Sequence, residues 1–117
     1  MQSIGHFIDG KRVDGSSGRF GDVFNPSKGE VAAKVALASK AEMEAAIANA
    51  QAAFESWSRE SVVKRARVMF RFLELATKEK RQLGELLSNE HGKTIDDAMG
   101  DVQRGLEVIE FACGIPH

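Results

Sequence analysis

A chain of 117 residues with 43% apolar side chains is one domain's length and can bury a packed core. Sixteen basic residues against seventeen acidic ones leave a net charge of −1, which gives no electrostatic reason to expect a nucleic-acid or membrane partner. The single cysteine, Cys113, excludes an internal disulfide framework and fits a reducing compartment. No apolar run approaches the roughly 20 residues that span a bilayer. The opening MQSIGHFIDG lacks both a signal-peptide core and an Arg-rich presequence, so the chain reads as cytoplasmic.

From His6 to Val13, Asp9-Gly10 sits between two β-prone runs and predicts a hairpin with positive φ at its turn. Asp14 to Gly21 is dense in Gly and Ser and reads as a loop. Its glycines Gly15, Gly18 and Gly21 lack G-x-G-x-x-G spacing and precede no helix start, so a connector is the better reading than a phosphate cradle. Asp22-Val23-Phe24 leads into a turn over Asn25 to Glu30, marked by Asn-Pro and Gly. Val31 to Ala38 is short, apolar and bounded by turns, which suggests a strand.

At Ser39 the pattern changes. Ser39 with Glu42 three residues on forms a capping box, and Met43, Ile47, Ala50, Phe54 and Trp57 follow at helical spacing. Ser61 caps a second helix. Its polar face holds Lys64, Arg67, Arg71, Glu74 and Lys78, and its wide apolar face (Val63, Ala66, Met69, Phe70, Leu73, Ala76) suggests burial against more than one neighbour. Leu83, Leu86 and Leu87 mark further helix, continuous with the second or bent near Gly84. The stretch Glu90 to Ala112 reads as one long closing helix whose cap is Thr94, with Asp96 and Asp97 at the positive end of its dipole. Ile95, Met99, Val102, Leu106, Ile109 and Cys113 run down one side, and Asp96, Gln103, Glu107 and Glu110 down another. A third sector holds Gly100, Arg104, Val108 and Phe111, so two apolar sectors are expected to be covered. The expected organisation is a β-hairpin and strand region over residues 1–38, followed by a helical region of three or four helices over 39–117.

Few residues here bear chemistry. Cys113 continues an apolar stripe near a helix C-terminus, where the dipole disfavours a thiolate, so packing is its expected role. Gly92-Lys93-Thr94 resembles the end of a P-loop, but Leu87 stands where the first glycine would be, and a helix-start turn is the better reading. His6, His91 and His117 are scattered without a second ligand at i+3 or i+4, so no metal site is expected. The basic run Lys64, Arg65, Arg67, Arg71, Lys78, Lys80 and Arg81 has no interleaved aromatics on the same face and reads as a solvated helix face. Arg104 has two readings. One is an i,i+3 ion pair with Asp101 or Glu107, worth a few tenths of a kcal/mol. The other is a partly buried guanidinium that holds a carboxylate with two parallel hydrogen bonds.

FIDGKRV (Phe7–Val13), FNPSKGEV (Phe24–Val31), AFESWS (Ala53–Ser58) and NEHGKT (Asn89–Thr94) resemble the opening of an aldehyde dehydrogenase. RARVMFRFLEL (Arg65–Leu75) and GDVQRGLEVIEFACG (Gly100–Gly114) are similar to the CoA-acylating methylmalonate-semialdehyde dehydrogenases. The resemblance covers nearly the whole chain in the right order. It implies the N-terminal portion of an α/β, aldehyde dehydrogenase-like fold belonging to an NAD-dependent, cytoplasmic homotetramer. Such an enzyme converts methylmalonate or malonate semialdehyde, with CoA, to propionyl- or acetyl-CoA, releasing carbon dioxide and NADH. It also implies that Arg104 is one of two arginines that bind the substrate carboxylate. Family members are about four times this length, so the nucleophilic cysteine, the oxyanion-hole partner, the nucleotide-binding core and the second arginine are expected outside these residues. The expectation is a segment with no catalytic, cofactor-binding or metal-binding residues of its own, inactive alone and binding neither NAD nor CoA.

Other readings remain open at this point. They are another aldehyde dehydrogenase subfamily, a non-catalytic helical interaction module built on the broad apolar faces, and a nucleic-acid binder using the helix around Arg65 and Arg71.

Overall fold

The computed structural model describes all of Met1–His117. The chain divides into two compact units, Met1–Arg59 and Glu60–His117. Strands give way to helices at the change of pattern at Ser39, and the first helix groups with the strands in the first unit.

The first unit holds five strands, β1 (Gln2–Ile4), β2 (His6–Ile8), β3 (Lys11–Val13), β4 (Phe20–Asn25) and β5 (Glu30–Ala36), followed by helix α1 (Lys40–Trp57). β2 and β3 pair antiparallel, His6 opposite Val13 and Ile8 opposite Lys11. Asp9 and Gly10 take φ of 55° and 73°, as a two-residue turn matching strand twist requires. The second sheet has the order β1-β5-β4, with β1 parallel and β4 antiparallel to β5. A register shift falls between Val23 and Phe24.

β1 and β4 depart from the loop-rich reading. β4 already begins at Phe20, inside the stretch read as a loop. Its alternation places Gly21, Val23 and Asn25 inward and leaves Phe20 and Phe24 outward and exposed. Strand β5 closes at Ala36 rather than Ala38, and its inward Ala33 and Ala36 are buried. Small side chains are needed here, because a Cβ at Gly15 would lie 2.6 Å from that of Ala36.

The capping box at the start of α1 is formed as the sequence implies. Ser39 Oγ accepts from the Glu42 amide at 3.2 Å, and Glu42 Oε2 accepts from the Ser39 amide at 2.8 Å. Its other oxygen, Oε1, accepts from the Ser16 amide at 2.7 Å and lies 4.0 Å from His6 Nε2. One carboxylate thus ties the loop after β3 to the helix start. The apolar stripe of α1 is not covered, since no residue of the helix is buried.

The second unit is three helices, α2 (Val62–Lys78), α3 (Lys80–His91) and α4 (Ile95–Cys113). Ser61 caps α2, accepting from the Lys64 amide at 3.2 Å. α2 and α3 are interrupted at Glu79 rather than bent near Gly84. Gly84 has a different function. It is buried against Met99 of α4, whose Sδ would lie 2.4 Å from an added Cβ, so a missing side chain lets the two helices approach. The stretch from Glu90 onward is not one helix. α3 ends at His91, Gly92 takes the left-handed conformation (φ 83°), and Thr94 starts α4 by accepting from the Asp97 amide at 3.3 Å. Ser88 Oγ donates to the Lys93 carbonyl at 2.7 Å across the same turn.

Besides Gly84, the buried residues of this unit are Ala66, Ala76, Ala98, Leu106 and Cys113, four of them with small side chains that permit close helix packing. No helix in the chain is long and apolar enough to cross a membrane.

The hydrogen bonds to Glu42 have a measurable consequence. Amide donation from Ser39, then from Ser16, lowers its carboxyl from 4.5 to about 2, with partial burial opposing. A depressed carboxylate stabilises the fold in full above its unfolded value of 4.5, and that contribution drains as pH falls through about 2. A carbon-13 titration of the folded chain should find the Glu42 midpoint near 2, and the stability gap between wild type and Glu42→Gln should narrow between pH 4.5 and 2. A midpoint at 4.5 would show that the amide bonds do not hold in solution.

Candidate functional site

The stripe of α4 that holds Leu106 and Cys113 faces inward, and Cys113 is 2% exposed. The only thiol of the chain is therefore packed away from any substrate. The sector Gly100, Arg104, Val108 and Phe111 faces the other way. Val108 and Phe111 are 67% and 77% exposed, against the expectation that both apolar sectors are covered.

Arg104 lies in that outward sector with its side chain 83% exposed, so the partly buried guanidinium expected for a carboxylate anchor is not what the structure shows. The physical reason is its position among residues that no other element of this unit covers. Its Nη1 stands 3.9 Å from Asp101 Oδ1, one turn earlier on α4. This is a charge contact beyond hydrogen-bond distance. Glu107, the other partner considered from spacing, accepts instead from Gln103 Nε2 at 3.2 Å.

Asp101 is held chiefly by Lys93. The ammonium of Lys93, from the turn between α3 and α4, bonds Asp101 Oδ2, leaving Oδ1 toward Arg104. The two oxygens of one carboxylate are thus divided between two cations. The hydrogen bond from Lys93 is the largest influence holding the Asp101 carboxyl below the ordinary carboxylate range. Partial burial opposes it, and the charges of Lys93, Arg104 and His91 add to it. Lys93 was legible only as part of a helix-start turn. It precedes the Thr94 cap, so helical i,i+3 and i,i+4 spacing gives no signal of its reach to Asp101, eight residues on. The cluster carries a net positive charge, with its outermost group an exposed, planar double donor suited to a carboxylate.

The other candidate residues do not converge. Of the basic run, Lys64 pairs with Glu60 at 3.2 Å, Arg71 with Glu74 at 2.8 Å and Arg81 with Glu85 at 2.8 Å, while Lys80 donates to Gln103 at 2.7 Å. The three ion pairs are exposed i,i+3 or i,i+4 neighbours, each worth about 0–1 kcal/mol, and the Lys80–Gln103 bond joins α3 to α4. His6 lies in β2, His91 ends α3, and His117 is at the chain terminus. The loop of Gly15 and Gly18 runs into strand β4, not a helix N-terminus, so these residues do not form a dinucleotide cradle.

The profile of the aldehyde dehydrogenase family matches residues 13–117. In backbone the chain is similar to a Sinorhizobium meliloti 1021 protein assigned as methylmalonate-semialdehyde dehydrogenase and solved with NAD. The TM-score is 0.95 at 55% identity, over 100% of this chain and 24% of that one. It is also similar to methylmalonate-semialdehyde dehydrogenase from Oceanimonas doudoroffii, with a TM-score of 0.94 at 46% identity, over 99% of this chain and 24% of that one. In sequence it is 43% identical over 117 residues to malonate-semialdehyde dehydrogenase from Pseudomonas aeruginosa, covering 100% of this chain and 23% of the relative. The chain thus spans about a quarter of the length of these relatives. With residues 13–117 matching one profile and the whole backbone superimposing on its members, the chain belongs to the aldehyde dehydrogenase family.

Proposed function

We propose that this chain is the N-terminal quarter of an NAD-dependent, CoA-acylating dehydrogenase that oxidises methylmalonate or malonate semialdehyde to propionyl- or acetyl-CoA with release of carbon dioxide. The observation that carries the reading is the superposition on two proteins bearing the methylmalonate-semialdehyde dehydrogenase name, with TM-scores of 0.95 and 0.94. The names of relatives speak for a semialdehyde that carries a carboxylate, and one was solved with NAD. NAD accepts the hydride and CoA the acyl group in this reading, and both are held by residues outside this chain. The reading carries with it a cytoplasmic homotetramer that takes a small-molecule substrate, without nucleic-acid or membrane partners.

Arg104 is the chain's contribution to the site. An exposed guanidinium next to a carboxylate already bonded elsewhere offers two parallel N–H donors to an incoming carboxylate. The exposure of Val108 and Phe111 beside it fits a sector that further structure of the complete enzyme covers, and that covering would partly bury Arg104. Shielding from water strengthens the charge-assisted bonds. Cys113, buried in the helix packing, does not supply the nucleophile. The 117-residue chain alone is therefore expected to form no NADH from semialdehyde, NAD and CoA, and sustained NADH formation by it would contradict the reading.

The positive test grafts Met1–His117 in place of the corresponding quarter of the Sinorhizobium meliloti relative. The graft is expected to oxidise methylmalonate semialdehyde with CoA. Arg104→Leu in it should lower kcat/KM for that substrate about 10- to 100-fold, the scale of losing charge-assisted hydrogen bonds, and change that for propanal by less than about threefold. Equal losses on both aldehydes would assign Arg104 a structural role, and a folded graft without activity would remove the reading altogether.

A further inference from the structure

Lys93 and Arg104 are rivals for one carboxylate. Asp101 bonds Lys93 through Oδ2, and its Oδ1 is 3.9 Å from Arg104 Nη1, too far for a hydrogen bond. Lys93 and Asp101 are 21% and 40% exposed in their side chains, whereas Arg104 is 83% exposed. The inner pair is thus the sheltered one, and the outer guanidinium keeps its donors free. Glu107, at i+3 from Arg104, forms no ion pair with it; its carboxylate accepts from Gln103 Nε2 at 3.2 Å.

We propose that Lys93 is a specificity-determining residue, which holds Asp101 away from Arg104 so that the guanidinium remains available to a substrate carboxylate. The inference rests on Arg104 being the carboxylate anchor and adds what keeps that anchor free. With Lys93 in place, one anion sits between two cations, and the cluster presents net positive charge to solvent. Without it, Asp101 keeps Arg104 at i+3 on the same helix, with His91 the weaker charge nearby, and the Asp101–Arg104 pair closes readily. A closed Asp101–Arg104 pair has no net charge, and its guanidinium face is occupied. The substrate would then have to displace a carboxylate that is tethered and always present.

This explanation makes a prediction that a purely structural role for Lys93 does not. In the grafted enzyme, Lys93→Met should raise KM for methylmalonate semialdehyde roughly three- to fivefold, the scale of an exposed charge pair. It should leave kcat and KM for propanal unchanged, which also shows that the variant is folded. Adding Asp101→Asn removes the competitor, so the double variant Lys93→Met/Asp101→Asn should return KM for the semialdehyde to the unsubstituted level, and Asp101→Asn alone should not raise it. Losses on both aldehydes, or a KM defect that Asp101→Asn does not rescue, would overturn the proposal and make the Lys93–Asp101 bond a staple of the turn. Arg104→Leu, measured alongside, separates the two levels of the argument. A selective Arg104→Leu defect with a silent Lys93→Met overturns only the role of Lys93. A non-selective Arg104→Leu defect overturns both.

Discussion

The turn from Gly92 to Thr94 governs what the second unit can present. Gly92 ends α3 in a left-handed conformation that a Cβ would strain, and Thr94 immediately restarts the chain as α4. Three residues of linker leave little freedom in how α4 leaves α3, and the gap at Gly84 then admits Met99. With α4 seated this way, Leu106 and Cys113 turn inward and Arg104 turns out. Lys93 stands at the hinge of that arrangement. It lies outside both helices, which is why it can reach Asp101 on the second turn of α4.

Much of the local structure is readable because its chemistry is local. Asp9-Gly10 carries the positive φ of its turn in its residue types. Ser39 with Glu42, Ser61 and Thr94 each satisfy amide donors within three residues, so their spacing alone reveals them. β1 and β4 are harder to read. β1 is three residues long and finds its partner in β5, some thirty residues away. β4 turns a half-buried glycine inward and leaves its phenylalanines outward, which inverts the usual signal of a half-buried strand. The helix break at Glu79 has no cap side chain to announce it, and Gly84, the conspicuous residue nearby, proves to be a packing site.

The same distinction separates the parts of the candidate site. The i,i+3 relation of Asp101 and Arg104 follows from helical geometry, whereas the stronger hold of Lys93 on Asp101 crosses a helix cap and belongs to tertiary structure. Periodicity separates Arg104 from both the inner stripe and the acidic face, but the covering it implies for the third sector is not found in this unit. Its exposure has a plain cause in the unaccompanied sector of α4, shared with Val108 and Phe111. The cluster brings together a tethered anion, a sheltered cation and an outward guanidinium, a combination in which charge balance decides whether the outer group is free.

The most direct measurement is a crystal structure of the grafted enzyme with malonate bound as a stand-in for the substrate's carboxylate. Malonate received by two parallel N–H donors of Arg104, with Asp101 still bonded to Lys93, is the expected result. Malonate bound elsewhere, with the Arg104 guanidinium closed onto Asp101, would contradict the role assigned to this helix.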